Sequence, residues 1–297
     1  MSTQANPTFT VSASPRKIKS GPPLSWISGA VRLLRSHWGV ILPAYLLVFI
    51  IPALIQFGAM EVFSSGSLLG SALVIVASVI VTLLLNAGMM VLFHHAAEGR
   101  PGFSDVFAGF RGHTVVHVLL MLVMMILVML AFGVVGYMFA SVADISIHSF
   151  GGGMGRLMNS GFGPSAGLAA ILFLVIVVLF AVILFGSLFC YVVPLIAVAR
   201  QGALTAIGNS VRACFKNLFV LFFFAVNAVV LTQLVLFPSF AIGASTTSVV
   251  VMTTITVVVS FIWGAIICGA YYLSFREVLL NTSPESPAPE AVAPASA

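Results

Sequence analysis

Apolar residues fall into six long runs along the chain, 40–57, 68–93, 115–140, 166–198, 218–237 and 249–273, separated by shorter polar or glycine-bearing segments. A helix needs about 20 apolar residues to cross the hydrocarbon core of a bilayer. Each run therefore predicts a transmembrane helix. The fourth is longer than one span needs, which predicts tilt or an end that projects past the bilayer. Pro43, Pro52 and Pro194 lie inside or near the ends of runs. Proline is tolerated there because neighbouring groups re-satisfy the freed carbonyl. Pro238, Gly243 and the Ser/Thr residues that follow predict a turn between the fifth and sixth runs.

A second, shorter pattern precedes every other run. The stretches Leu24–Arg32, Phe103–Arg111 and Leu204–Arg212 align without a gap. They share an apolar residue, Ser/Thr, any residue, Ile/Val, two variable positions, a small residue, Val/Phe, and Arg. Pro22, Pro101 or Gly202 stands two residues before each. The apolar positions are Leu24, Ile27, Val31 and Leu34; then Phe103, Val106, Phe107 and Phe110; then Leu204, Ile207, Val211 and Phe215. Steps of three and four place each set on one helical face. Ser25, Ser104 and Thr205 occupy the expected N-cap positions. Each stretch is too short to span and predicts an amphipathic helix on the membrane surface. Arg32, Arg111 and Arg212 fall about 100° from the centre of the stripe, where a long basic side chain reaches lipid headgroups. The repeated unit is then one interfacial helix followed by two spans, used three times. The predicted fold class is an all-α polytopic membrane protein with six transmembrane helices and three interfacial amphipathic helices.

Composition agrees: 61% of residues are hydrophobic, 6% are charged, and mean hydropathy is +1.19. Soluble domains carry about 25% charged residues. No secretory signal is apparent, because the first apolar run follows a long polar segment. The net charge of +5 is not a nucleic-acid signal, because the cations sort by membrane side. Eleven of the 12 Lys and Arg residues precede run one, lie between runs two and three or four and five, or follow run six. They are Arg16, Lys17, Lys19, Arg32, Arg35, Arg100, Arg111, Arg200, Arg212, Lys216 and Arg276. Only Arg156 lies on the other side. The positive-inside rule then puts both termini in the cytoplasm. Residues 1–20 and 282–297 are polar or rich in Pro, Ala, Ser and Glu, and are expected to be disordered tails around a membrane domain at 21–281.

The segment Phe103–Arg111, Pro194, the segment 203–217 and the closing 271–277 stretch (Tyr-Tyr-Leu-Ser-Phe-Arg-Glu) resemble a family of uncharacterised bacterial six-helix inner-membrane proteins. This YciC-like group is similar to the membrane domain of some glycerophosphodiester phosphodiesterases. The resemblance covers roughly residues 21–281 and its motifs are architectural. It implies a six-helix inner-membrane fold and carries over no catalytic or binding residue. The phosphodiesterase's soluble catalytic domain has no counterpart in this chain.

Specific chemistry is sparse. None of the six runs contains Asp, Glu, Lys or Arg, the usual marks of ion coupling or membrane-embedded catalysis. His113 and His117 have i, i+4 spacing, with Glu98 or Asp105 near in sequence, and His94 and His95 end run two. That spacing suits a metal, but imidazole is equally at home at the headgroup level, and no metal or cofactor is expected. The stretch 151–156 (Gly-Gly-Gly-Met-Gly-Arg) lacks the Gly-Lys-Ser/Thr ending of a phosphate loop. Cys190, Cys214 and Cys268 have no framework or ligand spacing. Asn86, Asn227 and Gln233 are polar groups within spans, candidates for a polar path or for interhelical hydrogen bonds. Ser260, Gly264 and Cys268 form a small-residue stripe suited to helix packing.

The expected function is a non-enzymatic scaffold or accessory role in envelope or lipid homeostasis at the bacterial inner membrane, with membrane lipids as partners and no nucleic acid. The alternative is a transporter or channel for a small or lipid-like solute. A closed apolar bundle favours the first. A polar cavity lined by Asn86, Asn227 and Gln233 favours the second.

Overall fold

The computed structural model describes residues 15–18, 24–59, 68–142, 186, 190–245 and 249–280. The helices are α1 (Leu24–Gly58), α2 (Leu68–Ala97), a 3-10 segment η1 (Phe103–Phe110), α3 (Gly112–Val142), α4 (Val192–Ala197), α5 (Ala203–Lys216), α6 (Leu218–Ser245) and α7 (Val249–Leu279). Most of the fourth predicted run, the 151–156 loop and most of both predicted disordered tails lie outside the described residues.

Among the described residues four helices are long and apolar enough to cross a membrane: Leu24–Gly58, Leu69–Ala97, Leu218–Phe237 and Val250–Leu279. Phe103–Phe110 with Gly112–Leu127, bent by 57° at the junction, makes a fifth when taken as one.

The elbows follow from local backbone. α1 is continuous except at His37, whose φ of −132° and ψ of 28° leave the helical region. Asn217, between α5 and α6, has φ −122° and ψ 23°. His37 and Asn217 occupy the same register, five residues after Arg32 and Arg212. The second stretch turns at Arg111 instead, with φ −78° and ψ 142°. The expected N-caps are displaced. Gly102 and Gly202, in extended backbone, cap η1 and α5, and α1 begins at Leu24, so Ser25, Ser104 and Thr205 lie inside their helices. Asp105 stands in for the missing cap side chain at η1 by accepting the Gly102 N–H at 2.9 Å. α6 continues through Pro238 and Gly243 to Ser245, past the predicted turn.

α1 packs along α7 and against α2. α6 packs on α7, η1 lies across α2, and α4 sits among α2, α3 and α5. The largest fully buried side chains include Tyr191, Tyr272, Phe93, Phe275, Leu85, Met89 and Leu195. All belong to the end of the bundle where η1 and α5 lie. At the opposite helix ends Leu54, Phe57, Leu69, Leu73, Leu130, Leu234, Phe237 and Val250 are exposed. Water does not tolerate apolar surface on that scale. The protein is membrane-embedded.

Small residues set the close approaches. Gly264, centre of the predicted stripe, meets the Tyr45 side chain of α1. A Cβ on Gly269 would lie 3.0 Å from Phe93 and 3.2 Å from the Ala30 Cβ. Gly88 on α2 faces the Val106 backbone, and Gly109 on η1 faces the Leu84 backbone.

Candidate functional site

The three matching stretches lie together at the packed end, and their side chains divide by register. Leu24, Phe103 and Leu204, the first position of each, are exposed. Ala30, Gly109 and Ser210, the shared small position, are buried. Ala30 faces α7 at Gly269, Gly109 faces α2, and the Ser210 hydroxyl accepts the Tyr191 N–H at 3.1 Å. Arg32, Arg111 and Arg212 are exposed in every copy.

The predicted apolar stripe is therefore not one surface. Ile27, Leu34 and Val106 are buried against protein, while Phe103, Phe107, Phe110, Leu204 and Phe215 face outward. Helical spacing alone weights the large apolar residues. The small ones define the docking face because only they let two backbones come close. In η1 the three outward phenylalanines touch one another, Phe103 with Phe107 at 6.4 Å and Phe107 with Phe110 at 6.5 Å between ring centroids. A tight 3-10 winding replaces the predicted α-helix there.

Beside η1 lies a polar network. His94 is buried, its Nδ1 2.9 Å from the Tyr272 hydroxyl of α7 and its Nε2 3.4 Å from Glu98. Glu98 accepts from Arg100 Nε at 2.8 Å and Nη2 at 2.6 Å. His95 Nδ1 lies 2.8 Å from Asp105 Oδ2, the oxygen that also accepts the Gly102 N–H. The network ties α2, η1 and α7 together. Residues 94, 98 and 272 were not recognisable as one group from sequence, because Tyr272 is separated from them by most of the chain.

The candidate metal pair behaves differently. The His113 and His117 rings stack with centroids 4.1 Å apart, and His117 Nδ1 lies 2.9 Å from the His113 carbonyl. Glu98 and Asp105 are engaged by the network above. Among the described residues no three His, Cys, Asp or Glu side chains gather closely enough to hold a metal ion.

The amides proposed for a polar path do not converge. Asn86 Nδ2 donates to the Thr82 carbonyl at 2.8 Å, and Asn227 Nδ2 donates to the Phe223 carbonyl at 2.7 Å, each within its own helix. Gln233 is exposed on α6. α2, which carries Asn86, has little contact with α6, which carries the other two. Another contact between spans, not foreseen from the sequence, joins α7 to α6: Trp263 Nε1 donates to the Thr232 hydroxyl at 2.7 Å. No family model, curated protein or solved structure matches this chain.

Proposed function

We propose that the chain is a bacterial inner-membrane protein of the YciC-like kind, with six spans built as three units of a docked surface helix plus two spans. In this proposal it serves as a non-enzymatic scaffold or accessory protein in envelope or lipid homeostasis. Both termini are cytoplasmic, and Arg32, Arg111 and Arg212 contact lipid headgroups. The observation that carries the proposal is the common register of the three stretches: a buried small residue toward the bundle, an exposed large apolar residue toward lipid, and an exposed arginine. The matching backbone break at His37 and Asn217 supports the repeat. The apolar packing around Tyr272, Phe93 and Leu195, with Asn86 and Asn227 bonded within their own helices, supports a scaffold over a solute path.

Headgroup contact and sidedness are tested together with cysteine at Leu24, Phe103 or Leu204 and an impermeant thiol reagent. In inside-out vesicles labelling is slow, because lipid covers these positions. Changing Arg32, Arg111 and Arg212 to Glu accelerates it about fivefold or more, since each basic residue near an anionic surface is worth about 1 kcal/mol. Right-side-out vesicles give no labelling in either background. Fast labelling of the parent from the inside, or any from the outside, refutes the arrangement.

Transport is tested separately. Spin labels at positions 86, 227 and 233 are expected to collide with dissolved oxygen and not with a water-soluble nickel chelate. Nickel access at all three positions would mark an aqueous path and establish the transporter in place of the scaffold.

A further inference from the structure

The segment 15–18, expected to belong to an unstructured tail, is docked. The Arg16 N–H donates to the Val278 carbonyl of α7 at 3.0 Å. The Ile18 N–H donates to Asn217 Oδ1 at 2.9 Å, and Asn217 Nδ2 donates back to the Arg16 carbonyl at 2.9 Å. One side-chain amide thus takes the C=O of one residue and the N–H two residues further on. A neighbouring strand offers an extended chain the same pairing. Such contacts read main chain, and specificity comes from the side chains that alternate with them.

The amide is held ready for this role. Asn217 is 3% exposed, and its Nδ2 also donates to the Ala213 carbonyl at 3.1 Å. It sits at the α5–α6 elbow, where the non-helical backbone turns its side chain off the helix path. Pro15 is buried and Ile18 packs against the core, whereas Arg16 and Lys17 are exposed. His37 holds the equivalent register in the first stretch, but an imidazole has no paired C=O and NH2 to offer.

We infer that the α5–α6 elbow and the end of α7 form a docking surface for an extended peptide of the pattern Pro-x-x-Ile, occupied in cis by residues 15–18. Asn217 and the Val278 carbonyl read the backbone, and the apolar core beside them receives the isoleucine. The bound segment straps the elbow to the last turn of α7. The inference is independent of membrane sidedness and of the scaffold proposal.

The test uses the full-length protein in detergent. Trypsin should cut after Arg16 and Lys17 about tenfold or more slowly than in a free peptide of residues 11–20, because cleavage requires the docked segment to open first. Amide exchange at Arg16 and Ile18 should slow in parallel. Asn217→Ala should bring the cleavage after Arg16 to the free-peptide rate. Ile18→Pro, which removes the N–H from the tail and leaves the bundle intact, should do the same. A fluorescent peptide of residues 11–20 should then bind the Ile18→Pro protein saturably, and at least about fivefold more tightly than it binds the parent, whose surface is already filled. Cleavage of the parent at the free-peptide rate, or equal peptide binding by parent and Ile18→Pro protein, overturns the inference. Failure of the headgroup-labelling experiment leaves this result untouched.

Discussion

Alanine at Gly88 or Gly109 is expected to lower the melting temperature of the detergent-solubilised protein by about 10 °C or be incompatible with folding. A Cβ on Gly88 would fall onto the Val106 carbonyl and within 2.9 Å of the Val106 Cα. A Cβ on Gly109 would lie 2.7 Å from the Leu84 carbonyl carbon and 3.2 Å from the Gly88 nitrogen. These are main-chain atoms, which have no rotamer to retreat into. Overpacking typically costs about 1–3 kcal/mol, and more when backbone must shift. We expect about 3 kcal/mol or more, and each kcal/mol moves the melting point of a large domain by about 2–4 °C. The contrast lies in Gly39 and Gly208, where an added Cβ meets nothing within 4 Å. Alanine there should be neutral or stabilising by up to about 1 kcal/mol, through helix propensity. If Gly88→Ala and Gly109→Ala melt with the parent, η1 does not lie against α2 as described.

Trp26→Ala should be comparably damaging. Trp26 is 4% exposed, meets Phe224 edge-to-face at 5.1 Å, and donates its indole N–H to Glu277 at 2.6 Å. One side chain thus joins the start of α1 to α6 and α7. Truncating a buried tryptophan costs about 3–5 kcal/mol. Trp26→Phe separates the contributions, because it keeps most of the ring contact and takes only the indole donor from the exposed Glu277 carboxylate. Its cost should be smaller, about 0.5–1.5 kcal/mol, because water takes the place of the lost donor at Glu277. Equal melting of Trp26→Phe and Trp26→Ala would mean that the hydrogen bond, and not the packing, dominates. Parent-like melting of both would remove Trp26 from the core.

The long spans were legible because their signal is length: α1, α2, α6 and α7 fall on the first, second, fifth and sixth apolar runs. Arg32, Arg111 and Arg212 are exposed, as a guanidinium with no buried partner must be. The docking faces were not legible. Ala30, Gly109 and Ser210 carry little hydrophobic weight, so periodicity pointed to Ile27, Val106 and Phe107 as one surface when they belong to two. The partners of His94 and His95 were hidden for a related reason. His94 pairs with Tyr272 across 178 residues, and Asp105 reached His95 only because η1 folds back on α2. Asn217 gave no sign of its peptide contact, since an asparagine at a helix end has an ordinary explanation as a terminator.

The break at His37 also acts as a ruler. α1 contains 35 residues, which as one straight helix would measure about 52 Å. The hydrocarbon core is about 30 Å thick. The surplus, about 20 Å, would have to stand out in water or tilt the span steeply. The break at His37 divides that length into about 20 Å before it and about 32 Å after it, and Asn217 separates α5 from α6 in the same way. In a thinner or thicker bilayer the mismatch can then be absorbed at two hinges by a change of angle, leaving the packed helices between them undisturbed.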